Sequence, residues 1–191
     1  MATMHYLFFG VLSVAVLFLG GFGNRAVKQG TFENQSRAMA VNSTPVHHNR
    51  IDNFRERIVA MAAHEIGVRE ATGSNDGARV EEYLAYTGLG KGHAWCAAFA
   101  SWCYGQAGLS APRNAWSPAL FPIARRYTRQ QIRPADLFAI YNQRLGRINH
   151  VGIVQKIEGS WLLTIEGNVA DRVLSKRRSR ATVYTFSNWL D

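Results

Sequence analysis

Apolar residues in this chain follow three different spacings, and each marks a different kind of segment. From Tyr6 to Phe22 the run YLFFGVLSVAVLFLGGF holds seventeen residues without a charge. A membrane-spanning helix needs roughly 20 apolar residues, and a signal-peptide core needs about 7–15. The length therefore fits a leader that is either cleaved or kept as an anchor. Gly21-Phe22-Gly23 and Asn24-Arg25-Ala26 supply small residues for cleavage, so residues 1–23 read as a signal peptide or N-terminal membrane anchor. The run is apolar all round, which argues against an amphipathic core helix. Residues 24–50 are rich in Asn, Gln, Ser and Thr and carry Pro45, the composition of a polar linker.

Helical spacing begins near Ile51. Asp52 can cap a helix, and Phe54, Ile58, Met61, Ala62 and Ile66 follow at helical intervals up to Gly67. After a loop from Ala71 to Gly77, Val80, Tyr83, Leu84 and Thr87 repeat the pattern and stop at Gly88. A third helix is predicted from about Trp95 to Ala107, with Gly108 as its stop. Ser117-Pro118 has the form of an N-cap followed by Pro at the first helical position, and predicts a short helix to about Tyr127. The period then changes. Leu137–Tyr141, Val151–Ile157, Trp161–Ile165 and Thr182–Phe186 are short and rich in β-branched or aromatic residues, as strands are. Glu158-Gly159-Ser160 between two of them predicts a hairpin turn. Helices first and strands afterwards indicate an α+β domain with an antiparallel sheet over residues 51–191.

Composition narrows the partners. With 47% hydrophobic residues the chain has material for a core, which excludes wholesale disorder. Two cysteines exclude a disulfide-rich scaffold and a four-Cys zinc site. A net charge of +9 keeps anionic partners open: nucleic acid, membrane headgroups or cell-wall polymer. The basic run Arg172, Lys176, Arg177, Arg178 and Arg180 reads as a solvated face. Without a basic helix or basic stretches interleaved with aromatics, nucleic acid is not an expected partner. His47-His48 in the linker, and Asn75-Asp76 with Glu81-Glu82, are too sparse for a metal site. No cofactor or metal is expected.

Three clusters can carry chemistry. In Gly92-His93-Ala94-Trp95-Cys96, a glycine-bearing loop delivers Cys96 to a helix start. There the unpaired N–H groups and the positive end of the dipole favour thiolate and can hold an oxyanion. Cys103 lies seven residues on, about 10 Å away along a helix, too far for a disulfide with Cys96. With Phe99 and Trp102 it reads as core. Cys96 by itself is equally a nucleophile or a small buried apolar residue. The second cluster is Asn149-His150-Val151-Gly152, with His150 at a strand start. The third is Thr164-Ile165-Glu166-Gly167-Asn168. A three-residue loop at 158–160 would set His150 opposite Asn168 and Glu166 opposite Gly152 on one face. Either polar side chain could then orient the imidazole. Nucleophile on a helix with base and orienter on strands is the arrangement a thiol hydrolase needs. His93 competes with His150 as base but more simply lines the cleft. Trp95, Trp116 and Trp161 are candidate groove walls, although core packing suits any Trp.

These motifs resemble the CHAP family within the papain-like NlpC/P60 superfamily of cell-wall hydrolases. The residues that carry the likeness are Trp95-Cys96-Ala97-Ala98-Phe99 with Ser101-Trp102-Cys103, Asn149-His150-Val151-Gly152-Ile153-Val154, and Ile165-Glu166-Gly167-Asn168. Pro134-Ala135-Asp136-Leu137 stands where such proteins often read Pro-Gly-Asp, with Ala135 in place of glycine. The likeness implies a papain-like fold, Cys96 as nucleophile, His150 as base, and Glu166 with Asn168 as polar partners. His93, Trp95 and Trp116 are the expected substrate contacts. It implies hydrolysis of a peptidoglycan amide bond, either N-acetylmuramoyl-L-alanine or a peptide bond, through a thioester. A non-catalytic wall-binding module and an amide transferase are the alternatives. The expected setting is an exported, monomeric protein (periplasmic, cell-wall or secreted), with membrane association through residues 6–22 where the leader is kept as an anchor.

Overall fold

The computed structural model describes residues 44–190. The expected leader and the linker up to residue 43 lie outside them. Among the described residues no helix is long and apolar enough to cross a membrane.

Among the described residues three α-helices precede the sheet: α1 (Thr44–His64), α2 (Ala78–Tyr86) and α3 (Cys96–Gln106). α1 starts eight residues before the expected cap at Asp52, and so runs into the stretch read as linker. It ends at His64, which leaves Ile66 beyond the helix and exposed instead of in the core. The nine residues Cys96–Tyr104 of α3 are all buried. A helix without a polar stripe can persist only where it is enclosed on every side, and here α1, α2 and the sheet enclose it. Ser117-Pro118 opens a 3₁₀ turn, Ser117–Leu120, rather than one helix to Tyr127.

Six strands follow: β1 (Arg126–Tyr127), β2 (Leu137–Asn142), β3 (Arg147–Glu158), β4 (Trp161–Val169), β5 (Arg172–Ser179) and β6 (Thr185–Ser187). They form one antiparallel sheet in the order β1-β6-β2-β3-β4-β5. The α+β architecture expected from the element order is present. β5 is the basic segment, and it is a full strand of the sheet.

The β3–β4 hairpin reaches the expected register by another route. Glu158 pairs with Trp161, so the loop is Gly159-Ser160 and one residue shorter than predicted. Alone, that would slip every pair by one and send side chains to opposite faces. A bulge between Val154 and Lys156 restores the pairing of Ile153 with Ile165. One apolar cluster packs the helices on the sheet through Leu137, Val151, Ile153 and Ile165. A smaller one, Phe138, Val154, Leu162, Val183 and Phe186, lies apart from it.

A buried ion pair links α1 to the start of β2. Arg55 Nη1 donates to Asp136 Oδ1 and to the Pro134 carbonyl, each at 2.7 Å. Tyr127 and the Arg133 N–H also donate to the Asp136 carboxylate. Burial pushes the Asp136 carboxyl up even against the pull of Arg55. Ala135, standing in the turn where glycine is usual, adopts φ 70°, so the turn forms at the steric cost that glycine would avoid.

Candidate active site

Cys96 is the first residue of α3 and is 5% exposed. The first N–H groups of a helix have no intrahelical acceptor, and Trp95 at the cap supplies no side-chain hydrogen bond. Fixed donors therefore surround the sulfur, among them the Val151 N–H. Ser117 Oγ lies 3.4 Å from Sγ. Close packing fixes the helix end. A Cβ on Gly167 would lie 2.7 Å from the Trp95 ring and 2.9 Å from Phe99, so only glycine lets β4 approach α3 this closely.

His150 approaches Cys96 from β3. Its Nε2 lies 2.8 Å from Glu166 Oε2, so Nδ1 is the ring nitrogen that Glu166 does not engage. Glu166 is fully buried on β4 and passes over Gly152. A Cβ at 152 would sit 2.8 Å from Glu166 Cγ and 2.6 Å from the Phe138 ring. Thr164 Oγ1 donates to Glu166 Oε1 at 2.7 Å, and Arg178 grips both carboxylate oxygens through Nε and Nη2 at 2.5 and 2.6 Å.

The electrostatics follow from this geometry. Burial works against charge on all three groups of the relay. For Cys96, the hydrogen bond and charge of His150 prevail and hold the thiol below its ordinary range. For His150, Cys96 and Glu166 prevail and raise the imidazole to about 9. For Glu166, His150 and Arg178 prevail and lower the carboxyl to about 2. The three directions describe one state, a thiolate–imidazolium pair backed by an ionised carboxylate. Cys103, two turns along α3, is its opposite: with burial dominant its thiol is pushed well above the usual range.

The structure thus brings together Cys96, His150 and Glu166 of the expected set. Asn168 goes elsewhere. It adopts φ 58° and its amide donates to Asn75 Oδ1 at 3.1 Å, so of the two candidate orienters only Glu166 bonds the imidazole. Trp95 is fully buried, with its indole N–H on Glu70, and cannot meet a substrate. His93 and Trp116 do share a cavity of about 380 Å³, also lined by Thr87, Arg113 and Asn114. Trp116 is 53% exposed, and the Arg147 guanidinium stacks on it at 4.4 Å. The cavity adjoins the thiol along the chain, since His93 lies just before Trp95-Cys96 and Trp116 just before Ser117. Trp161 stands at the β3–β4 turn under Arg177.

Sequence reasoning missed Ser117, Thr164 and Arg178. Ser117 carried a signal, but for a cap. Arg178 carried none, because its neighbours in the chain are also basic. Among the described residues no group of three or more His, Cys, Asp or Glu could hold a metal. Asp76 instead accepts from the Thr72 N–H and hydroxyl.

Residues 88–168, which span Cys96, His150, Glu166 and Asn168, match the family model of the CHAP domain. No curated protein matches the sequence. Among solved structures, the P60 domain of an antigen from M. avium paratuberculosis aligns over 76% of this chain and 99% of its own. Its TM-score is 0.51 at 16% identity, a likeness of fold. The NlpC/p60 domain of the peptidoglycan hydrolase SagA aligns over 71% of this chain and 98% of its own, with TM-score 0.45 and 18% identity. An NLP/P60-family protein similar to lipoprotein, from Staphylococcus aureus, aligns over 73% and 42%, with TM-score 0.48 and 16% identity.

Proposed function

We propose, from the match of residues 88–168 to the CHAP-domain model and the likeness of fold to a P60 domain, that the chain hydrolyses an amide bond of peptidoglycan with Cys96 as nucleophile. The observation that carries this reading is the buried relay of Cys96, His150 and Glu166 at the start of α3. The thiolate attacks the amide carbonyl, forming a C–S bond. The negative oxygen is met by the first N–H groups of α3. The C–N bond then breaks, and the leaving amine takes its proton from His150. Water, deprotonated by the now neutral His150, attacks the thioester and releases the acid and the thiolate. Glu166 holds the ring so that Nδ1 serves both transfers.

His93 and Trp116, with Arg113 and Arg147 beside them, would contact the substrate next to the scissile bond. An aromatic face suits a sugar ring or an aliphatic stem, and the cations suit peptidoglycan carboxylates. Both the sugar–peptide amide and a peptide bond of the stem or bridge fit this chemistry. The substrate lies outside the cytoplasmic membrane, so the reading requires export, and Tyr6–Phe22 is the segment that would direct it.

The test is to incubate the purified protein with peptidoglycan and identify released fragments by mass spectrometry. Wild type should release fragments and Cys96→Ala should not. Equal release from both would sink the enzymatic reading. New amino termini on alanine, or within the stem, would name the bond.

A further inference from the structure

We propose that Arg178, on the outer strand β5, is a positioning residue for the catalytic base, fixing Glu166 and through it the ring of His150. The inference rests on the thiol-hydrolase reading above. A carboxylate has about four lone-pair sites, and Glu166 uses four. Oε1 takes Thr164 Oγ1 and Arg178 Nε, and Oε2 takes Arg178 Nη2 and His150 Nε2. With both Arg178 bonds in place the carboxylate plane cannot turn. The side chain of Arg178 is 19% exposed and that of Glu166 is 0% exposed, so water competes little for the pair. The guanidinium also lies 5.4 Å from the centre of the Phe138 ring, and that ring is packed edge-on near His150. Arg178 is therefore held from a second side. Such a fork is specific to arginine. Lysine offers the charge but not two parallel donors in one plane.

The charge of Arg178 has a second effect. Without it, the Glu166 carboxylate would act on His150 alone and hold the imidazolium more strongly. Arg178 shares that carboxylate and so limits how far the base is raised. The titratable and charged groups facing His150 and Glu166 are Cys96 from α3 and Arg178 from β5. Thr164 beside Glu166 and Phe138 beside His150 are uncharged.

Two variants separate the effects. Arg178→Gln removes both fork and charge. The His150 titration, followed by its ring proton resonance, should move to higher pH, and kcat on peptidoglycan should fall roughly 100-fold, the scale of a misplaced catalytic group. KM should stay near wild type, because Arg178 does not reach the substrate cavity. Arg178→Lys keeps a charge without the fork. Its His150 titration should lie near wild type while kcat still falls by about tenfold or more. Circular dichroism and urea melts establish that each variant is folded. If Arg178→Gln does not fold, Arg178→Lys alone decides, and wild-type kcat in it overturns the proposal. An unmoved titration in a folded Arg178→Gln, or a loss confined to KM, also overturns it. The titration needs no substrate. A shifted His150 titration in a protein that never cleaves peptidoglycan would support the clamp and sink the substrate reading.

Discussion

Two cysteines on one helix meet opposite fates, and the difference lies in what each side chain touches. Cys96 has His150 as a cationic partner, whereas Cys103 is held up by burial and, next, by the charge of Glu65. Selective alkylation should therefore find a single reactive thiol in the native protein, with thiolate character below the ordinary thiol range of about 8.5. Peptide mapping of the alkylated protein should place the label on Cys96, and equal labelling of Cys103 would contradict this assignment. The pH profile of hydrolysis follows with its signs. Activity rises as pH climbs through the lowered Cys96 value, because thiolate is the nucleophile. It falls as pH passes about 9, because a neutral His150 cannot protonate the leaving amine. An initial-rate profile still climbing beyond that point would remove His150 from the acid role.

Strands β3 and β4 place His150 and Glu166, and glycine makes their packing possible at two points. At Gly167 it admits Trp95, the cap of α3, and Phe99 of that helix, and at Gly152 it admits Glu166. Gly152→Ala should therefore do two separable things. Overpacking against Phe138 should cost about 1–3 kcal/mol in a urea melt. Displacing Glu166 should lower kcat beyond anything that stability explains. A variant that loses stability but keeps full turnover would show that the passage over Gly152 is only packing. The motif Asn149–Val154 could be seen in the sequence, but the reason for its glycine could not. That reason is a side chain from another strand, brought there by a hairpin and a bulge.

Across the domain, a buried ion pair, Arg55–Asp136, ties the helical layer to the start of β2. Both side chains are buried, so removing one partner leaves an uncompensated charge or forces it to neutralise. Arg55→Met should cost about 3–5 kcal/mol, measured by chemical denaturation. Cys96 should remain selectively reactive below the midpoint, because the pair does not touch the relay. A loss under 1 kcal/mol would mean that water reaches Asp136 and the link is weak. The basic charge is likewise not one uniform surface. Arg178 is turned inward onto Glu166, while Arg177 and Arg147 lie over tryptophan rings, so one cation of the basic run is withdrawn from the surface.

Order of elements, position of the thiol at a helix start, and the likeness to CHAP domains all follow from local pattern. Helical spacing, alternation and short motifs are written within a few residues and survive any packing. The choice between Glu166 and Asn168, the burial of Trp95 and the role of Arg178 depend on contacts between segments far apart in the chain. A strand pairing shifts by a whole face with one residue of loop or bulge, and although Glu158-Gly159-Ser160 marks a turn, neither its two-residue length nor the bulge near Gln155 is written locally. Here the two offsets cancel, so the expected His150–Glu166 neighbourhood arises from a hairpin different from the predicted one. Arg178 sits in a basic stretch with Lys176, Arg177 and Arg180, which offer the same charge. Only the fold selects which of them turns inward, because only the fold puts a buried carboxylate within its reach.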